Sequence, residues 1–288
     1  MRQLDLDVIV VARRDVDEKH ASLLALLSGA AVRIGFSSRN IPSKHLDFVK
    51  DRYFTNLVDF PTERILRESD AILRASSFFA APKTFSRTKL KIQSKALENA
   101  DNILARSDRT KVAVALGANS GRRRWPIKNF VASIEELNSH FDLDFILIGS
   151  KADKCAAQQL ENDTTARVTN CCGITDLQTS AAIISRCRLT LCNDSGPLHI
   201  SEAVGTPVVS ISCHPKGGND YHANSPKRFG PALPESICHQ PPTHLSPCRN
   251  GCKSLVAHCI CLVTPETVTQ SASEILARTV NSEQWQDD

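Results

Sequence analysis

The stretch from Arg188 to Ser212, RLTLCNDSGPLHISEAVGTPVVSIS, constrains the fold more than any other, because it sets a strand, a tight turn, a short helix and a second strand in immediate succession. Leu189 to Cys192 are apolar and suited to a β-strand, and Asn193-Asp194-Ser195-Gly196 break it. Pro197 fits the start of a helix, where its fixed φ is helical and its missing N–H is not needed. Leu198, Ile200, Ala203 and Val204 give that helix one apolar face, and Gly205 is placed to end it in the left-handed conformation. Val208 to Ile211 read as the next buried strand. Such a turn aims unpaired backbone N–H groups and the positive helix end at one point beyond the sheet, which suits a phosphate.

The same grammar runs through the second half of the chain. Strands are expected at Val112 to Leu116, Phe145 to Ile148 and Arg167 to Thr169. They alternate with helices from Pro126 to about His140, after Lys151, and from Thr175 to Arg186, with a last helix from Pro265 to Thr279. Alternation of this kind predicts a parallel sheet covered on both faces, and Phe130, Ile134 and Leu137 share the helix face that such a sheet requires. In the first half, Asp7 to Ala12 and Val32 to Phe36 read as strands. Glu18 to Leu27, stopped by Ser28-Gly29, and Pro61 to Ala75 read as helices. The expected fold is therefore α/β, with Rossmann-like domains at residues 1–108 and 109–288 and a linker between Ala100 and Thr110.

A chain of 288 residues, 41% hydrophobic and 23% charged, can bury the cores of two such domains. It has no run near the roughly 18 to 20 apolar residues of a membrane span, and its opening residues lack a basic-then-apolar leader pattern, so a cytoplasmic setting is expected. The net charge of +4 is concentrated in residues 1–108, which hold 18 Lys/Arg against 14 Asp/Glu. An anionic acceptor or membrane surface suits that excess, although a difference of four charges is within ordinary surface variation. Most of the eleven cysteines stand singly in apolar segments (Cys155, Cys187, Cys192, Cys213), where a reduced thiol acts as a small hydrophobe.

Asn193-Asp194-Ser195-Gly196-Pro197-Leu198-His199, followed by Gly205-Thr206-Pro207-Val208-Val209, resembles the donor-site signature of glycosyltransferase family 9, the ADP-heptose:lipopolysaccharide heptosyltransferases. Two further segments resemble that family in the same order. Leu116-Gly117-Ala118-Asn119-Ser120 with Arg123-Arg124-Trp125-Pro126 is similar to its phosphate loop, and Ser246 to Val268 to its cysteine-bearing segment. The resemblance implies a GT-B architecture of two facing Rossmann-like domains, with the donor bound by the second and the acceptor by the first. It also implies inverting transfer of heptose from an ADP-heptose donor to the inner core of lipopolysaccharide at the inner membrane. No metal, further cofactor or nucleic-acid partner is implied. Leu4-Asp5-Leu6-Asp7 resembles a segment well inside the first domain of relatives, so the first domain is expected to be incomplete by about 70 to 90 residues, two or three βα units on domain-size grounds. The loop whose Asp is the family's acceptor base is not found, which leaves Asp15 and Asp17 as local substitutes. A truncated relative that binds nucleotide sugar without transferring it is the alternative.

Departure of a nucleotide diphosphate requires stabilisation of charge on the β-phosphate, which helix N-termini and basic side chains can supply. The donor-binding candidates are Ser120, Arg123, Asp194, Ser195, Gly196 and His199. Ser195 can donate its hydroxyl, and glycine at 196 lets backbone N–H groups approach closely. Family members usually carry Lys at the position of Arg123, which keeps the charge but presents a planar fork. Asp194 is expected to hold the turn by accepting backbone N–H bonds, or to bind a sugar or ribose hydroxyl, and His199 to contact the diphosphate or cap the pocket. Asp153 suits either a nucleoside contact or a helix cap, while Lys216 and Asn219 are candidates for the donor sugar. A nucleotide-linked dehydrogenase is disfavoured, since no G-x-G-x-x-G follows the first strand.

Cys248, Cys252, Cys259 and Cys261, with His258, have C-x3-C-x6-C-x-C spacing. It invites a zinc reading but lacks a C-x2-C knuckle, and packed thiols or an occasional disulfide are the preferred expectation.

Overall fold

The computed structural model describes residues 5–13, 20–38, 48–59, 67–79, 88–104, 107–248 and 254–278. The chain divides into two compact units, Met1–Ser86 with Asp220–Phe229, and Arg87–Asn219 with Gly230–Asp288.

The first unit carries β1 (Val8–Val10), α1 (Ala21–Leu27), β2 (Val32–Phe36), α2 (Phe48–Asp51), β3 (Asn56–Val58) and α3 (Glu68–Ala75). Its strands form a parallel sheet in the order β1-β2-β3. Ile34, Phe36, Val58, Ala71 and Ala75 form one small core, and Val11, Ala25 and Phe54 another. Gly35 is required by packing, since a Cβ there would lie 2.4 Å from the Phe54 ring. The Asp51 carboxylate accepts hydrogen bonds from the Ser38 N–H (2.9 Å) and the Ser37 hydroxyl (3.2 Å), closing the turn after β2. Within the same unit, buried Arg228 donates to Glu68 at 2.6 Å.

The second unit carries α4 (Ser94–Leu104), β4 (Thr110–Ala115), α5 (Ile127–His140), β5 (Leu143–Leu147), α6 (Lys154–Asp163) and β6 (Val168–Asn170). There follow α7 (Leu177–Ser185), β7 (Leu189–Asn193), α8 (Gly196–Val204) and β8 (Val208–Ile211). After α9 (Pro226–Phe229), which belongs with the first unit, come β9 (Ile237–His239) and α10 (Pro265–Ala277). The sheet is parallel throughout, in the order β6-β5-β4-β7-β8-β9.

Alternate residues of one strand point to opposite faces. Val112, Val114, Phe145 and Leu147 therefore pack with Phe130, Ile134 and Leu137 of α5 and with Ile275 and Leu276 of α10. Ala113 and Ile146 pack on the other side, with Ala182 and Ile183 of α7 and Ala96 and Ala100 of α4. The three expected α5 side chains are fully buried, each worth roughly 1.5–3 kcal/mol relative to exposure. The unit starts at Arg87, ahead of the expected division at residues 108 and 109. The cause is α4, whose Ala96, Ala100 and Leu104 recur every four residues and make an apolar stripe that packs on α7.

Helix α1 begins at Ala21 and α3 at Glu68, and the residues on which their expected earlier starts fall lie outside those described. Among the described residues no helix is long and apolar enough to cross a membrane. Cys187, Cys192 and Cys213 are buried as expected, but Cys155 is exposed on α6. Burial pushes the Cys187 thiol up to about 12, so it is protonated at neutral pH and packs as a small apolar group.

Candidate functional site

From β4 the second unit's sheet grows to β5 and β6 on one side, while β7, β8 and β9 extend it on the other. Strands β4 and β7 lie side by side at this switch point, with Ala115 opposite Cys192. Loops leaving their C-terminal ends diverge there, which is where open parallel sheets bind ligands. The two segments singled out in the sequence, Gly117 to Pro126 and Asn193 to His199, are these two loops.

Buried Asn193 joins them. Its Oδ1 accepts from the Trp125 backbone N–H at 2.9 Å, and its Nδ2 donates to the Leu116 carbonyl at 2.8 Å. Trp125 is itself buried, 2% exposed, with its indole N–H donating to the Val263 carbonyl and its ring edge-on to Phe130 at 5.0 Å. Neither residue was among the expected site residues. The one available signal is that a strand ending in Asn carries a side chain able to pair a neighbouring backbone donor and acceptor at once.

Arg123 reaches across to the other loop. Its Nη2 lies 3.1 Å from the Asp194 carboxylate and also donates to the Asp194 carbonyl. The side chains are 24% and 8% exposed. Burial raises the Asp194 carboxyl above the ordinary carboxylate range, an effect that Arg123 and then His199 only partly offset. Asp194 thus fixes an arginine seventy-one residues away in sequence. The Arg123 Nε is buried and makes no hydrogen bond among the described residues. A charged, orphaned donor in a loop at a switch point fits an incoming anionic oxygen.

Helix α8 starts as expected. Ser195 is its extended N-cap, whose side chain makes no capping bond to the helix, and Pro197 sits in the first turn. Its hydroxyl donates instead to the Asn193 carbonyl at 3.3 Å. Gly196 is exposed, and a Cβ there would meet nothing within 4 Å, so the helix end opens on free space. His199 is exposed one turn in, and Gly205 ends the helix at φ 89°. Ser120 caps the short turn Gly121–Arg123 through backbone geometry, with its carbonyl accepting from the Arg123 N–H at 3.0 Å. Ser120, Arg123, Asp194, Ser195, Gly196 and His199 all belong to these two loops and the first turn of α8.

Asp153 takes the capping alternative. Its carboxylate accepts from the Ser150 N–H at 2.8 Å and the Ser150 hydroxyl at 2.7 Å, closing a capping box. Gly117 makes room for it, since a Cβ there would lie 2.5 Å from that carboxylate. Lys216 and Asn219 are exposed in the loop after β8. Arg124 is exposed, with its Nε donating to the Ala118 carbonyl at 2.9 Å. Asp15 and Asp17 lie outside the described residues.

In the cysteine-bearing segment, Cys248, His258 and Cys259 bring their ligand atoms within 4.8 Å of one another. Cys261 is exposed and stands apart from that group, and Cys252 lies outside the described residues.

The sequence matches glycosyltransferase family 9 (heptosyltransferase) over residues 15–255. It is similar to a lipopolysaccharide core heptosyltransferase of Haemophilus influenzae, 26% identical over 225 residues that cover 73% of this chain and 62% of the relative. The chain thus spans less than two thirds of that relative's length. In fold it is similar to the family 9 glycosyltransferase of Veillonella parvula, with a TM-score of 0.69 and 16% identity over 95% of this chain and 74% of that one. It is also similar to the ADP-heptose lipopolysaccharide heptosyltransferase II of Escherichia coli, with a TM-score of 0.64 and 17% identity over 94% of this chain and 76% of that one. With two parallel-sheet units of GT-B type and a family match across most of its length, the chain belongs to glycosyltransferase family 9.

Proposed function

We propose that this chain binds ADP-heptose in its second unit and transfers the heptose, with inversion, to the inner core of lipopolysaccharide, without a metal ion at the donor phosphates. The observation that carries the reading is the switch-point pair of loops, with Arg123 held by Asp194 and a buried guanidinium N–H left over beside the open N-terminus of α8.

In this reading the nucleotide diphosphate lies between the loops. The uncapped N–H groups at Gly196 and the Arg123 guanidinium stabilise the charge that grows on the β-phosphate as the sugar leaves. Ser195 donates its hydroxyl to a phosphate oxygen, giving up its local bond to the Asn193 carbonyl. His199 contacts the diphosphate from the exposed first turn of α8. Asp194 acts as a positioning residue, because its carboxylate and carbonyl fix the orientation of the Arg123 fork. The names of the two heptosyltransferase relatives support heptose as the sugar and lipopolysaccharide core as the acceptor. The first unit takes the acceptor side, and the acceptor base is left unassigned.

Titration calorimetry with ADP tests the donor site. ADP binding is expected, with at least tenfold weakening in Arg123→Ala and a smaller loss in Ser195→Ala. An absence of any ADP or ADP-sugar affinity in the native chain sinks the reading. Binding without turnover on a lipopolysaccharide core acceptor would select a nucleotide-sugar-binding protein instead of a transferase.

A further inference from the structure

Apart from the proposed donor site, one group of side chains among the described residues converges on a point, and the donor chemistry leaves it unused. The Cys248 and Cys259 thiols are both buried at 1% exposure. The single Nδ1 nitrogen of His258 lies 3.6 Å from the first sulfur and 3.5 Å from the second. Two ligands at about 2.3 Å (sulfur) and about 2.05 Å (nitrogen) from one ion, at a tetrahedral angle, stand about 3.6 Å apart. Both observed separations match that figure. The Leu245 backbone N–H also donates to the Cys259 sulfur at 3.3 Å, an outer contact of the kind that steadies a metal-bound thiolate.

The setting gives such an ion a purpose. Cys259 lies in a segment whose two ends touch the phosphate loop. The Leu255 carbonyl lies 2.7 Å from where a Gly121 Cβ would stand, and the Val263 carbonyl accepts from the Trp125 indole. Among the described residues, no helix or strand runs from Leu245 to Cys248, or from Ser254 to His258, to hold this stretch in place. We propose that Cys248, His258 and Cys259 bind a structural zinc ion that ties the chain at Cys248 to the segment at His258–Cys259 and so fixes the wall behind the phosphate loop. The described residues supply three ligands, and solvent takes the fourth tetrahedral corner. Two thiolates and one imidazole select a thiophilic ion over magnesium or calcium. This ion stands apart from the sugar transfer, which takes place at the α8 terminus.

The test uses the full chain, purified under reducing conditions and without a metal-binding tag. Elemental analysis is expected to find one zinc per chain. Chelation should lower the thermal midpoint, and refilling with cobalt should give a thiolate-to-cobalt charge-transfer band. Cys248→Ser and His258→Ala should each lose the metal, whereas Cys155→Ser, at an exposed site on α6, should keep it. Should a variant fail to fold, the native zinc content and the cobalt band decide the matter. Zinc far below one per chain together with no cobalt band overturns the proposal, as does a Cys248–Cys259 disulfide in the native protein. Iron in place of zinc overturns the identity of the ion. None of these readouts involves the donor, so their failure is separate from a failure of ADP binding.

Discussion

The two units are written in the same alternation of strand and helix, yet they differ in how completely they bury it. In the second unit β5, β7 and β8 are buried along their whole length, between helices on both faces. In the first, Val8 and Val10 of β1 remain 37% and 41% exposed, and Leu24 and Leu27 of α1 remain 45% and 58% exposed. Of the sixteen large apolar side chains exposed among the described residues, twelve lie in the first unit, although it is much the smaller. A βα pattern thus specifies a sheet, but layers on both faces turn that sheet into a rigid platform. The residues of the proposed donor site stand on the unit that has them.

Substitutions sharpen this contrast in order of size. The largest effect is expected from Trp125→Ala, which removes a buried ring and its bond to Val263 from the second unit at a cost of about 3–5 kcal/mol. Chemical denaturation followed by hydrogen exchange should show that loss in the second unit's strands. Equal loss of protection in β1 and β2 would show that the effect is not confined to the second unit.

Asn193→Leu comes next. It leaves the Trp125 N–H and the Leu116 carbonyl without their partner inside the sheet edge, an expected loss of about 2–3 kcal/mol. ADP affinity should fall further than in a variant of equal instability made elsewhere in the unit. An unchanged affinity would show that the loops hold their places without the pin.

Glu135→Gln tests the acid side of the second unit. The Thr164 hydroxyl, and then the Thr165 backbone N–H, hold the Glu135 carboxyl below its usual range. A depressed carboxyl contributes stability that is present above its unfolded pKa of about 4.3 and lost as pH falls through the folded value. Glu135→Gln should therefore lower the thermal midpoint at neutral pH and flatten its fall below about pH 4. A parallel curve, shifted but equally steep, would remove this residue from the acid transition.

The smallest effect belongs to the first unit's exposed face. Leu24→Ser should change stability by no more than about 0.5 kcal/mol while raising solubility. A loss several times larger would mean that this face is covered in solution, and the contrast between the units would narrow.

Much of this was readable where the determinants are local. The strand, turn and helix from Leu189 to Gly205 follow from breakers, a proline and a capping glycine, all acting within a few residues. The alternation in the second half announced a parallel sheet, but strand order did not follow from it, because pairing β4 with β7 depends on contacts seventy-seven residues apart. The partner of Asp194 was not legible, because Arg123 could be found only once the two loops met. Trp125 sits beside three arginines in the phosphate-loop segment, and its ring is core because Phe130 of the next helix packs edge-on against it and Val263, far along the chain, accepts its indole N–H. The division at Arg87 was missed for a related reason, since a helix preceding a domain's first strand is assigned by what it packs on.

The double bond made by Asn193 has a mechanical consequence. Both loops are fastened to the end of one strand, so neither can swing toward a ligand without dragging the other or breaking the fastening. The proposed donor site is therefore a fixed-gauge socket. In that role it would discriminate by what fits between two walls whose spacing is set when the sheet folds, and any closure around a ligand would have to come from parts of the chain that this anchor does not hold.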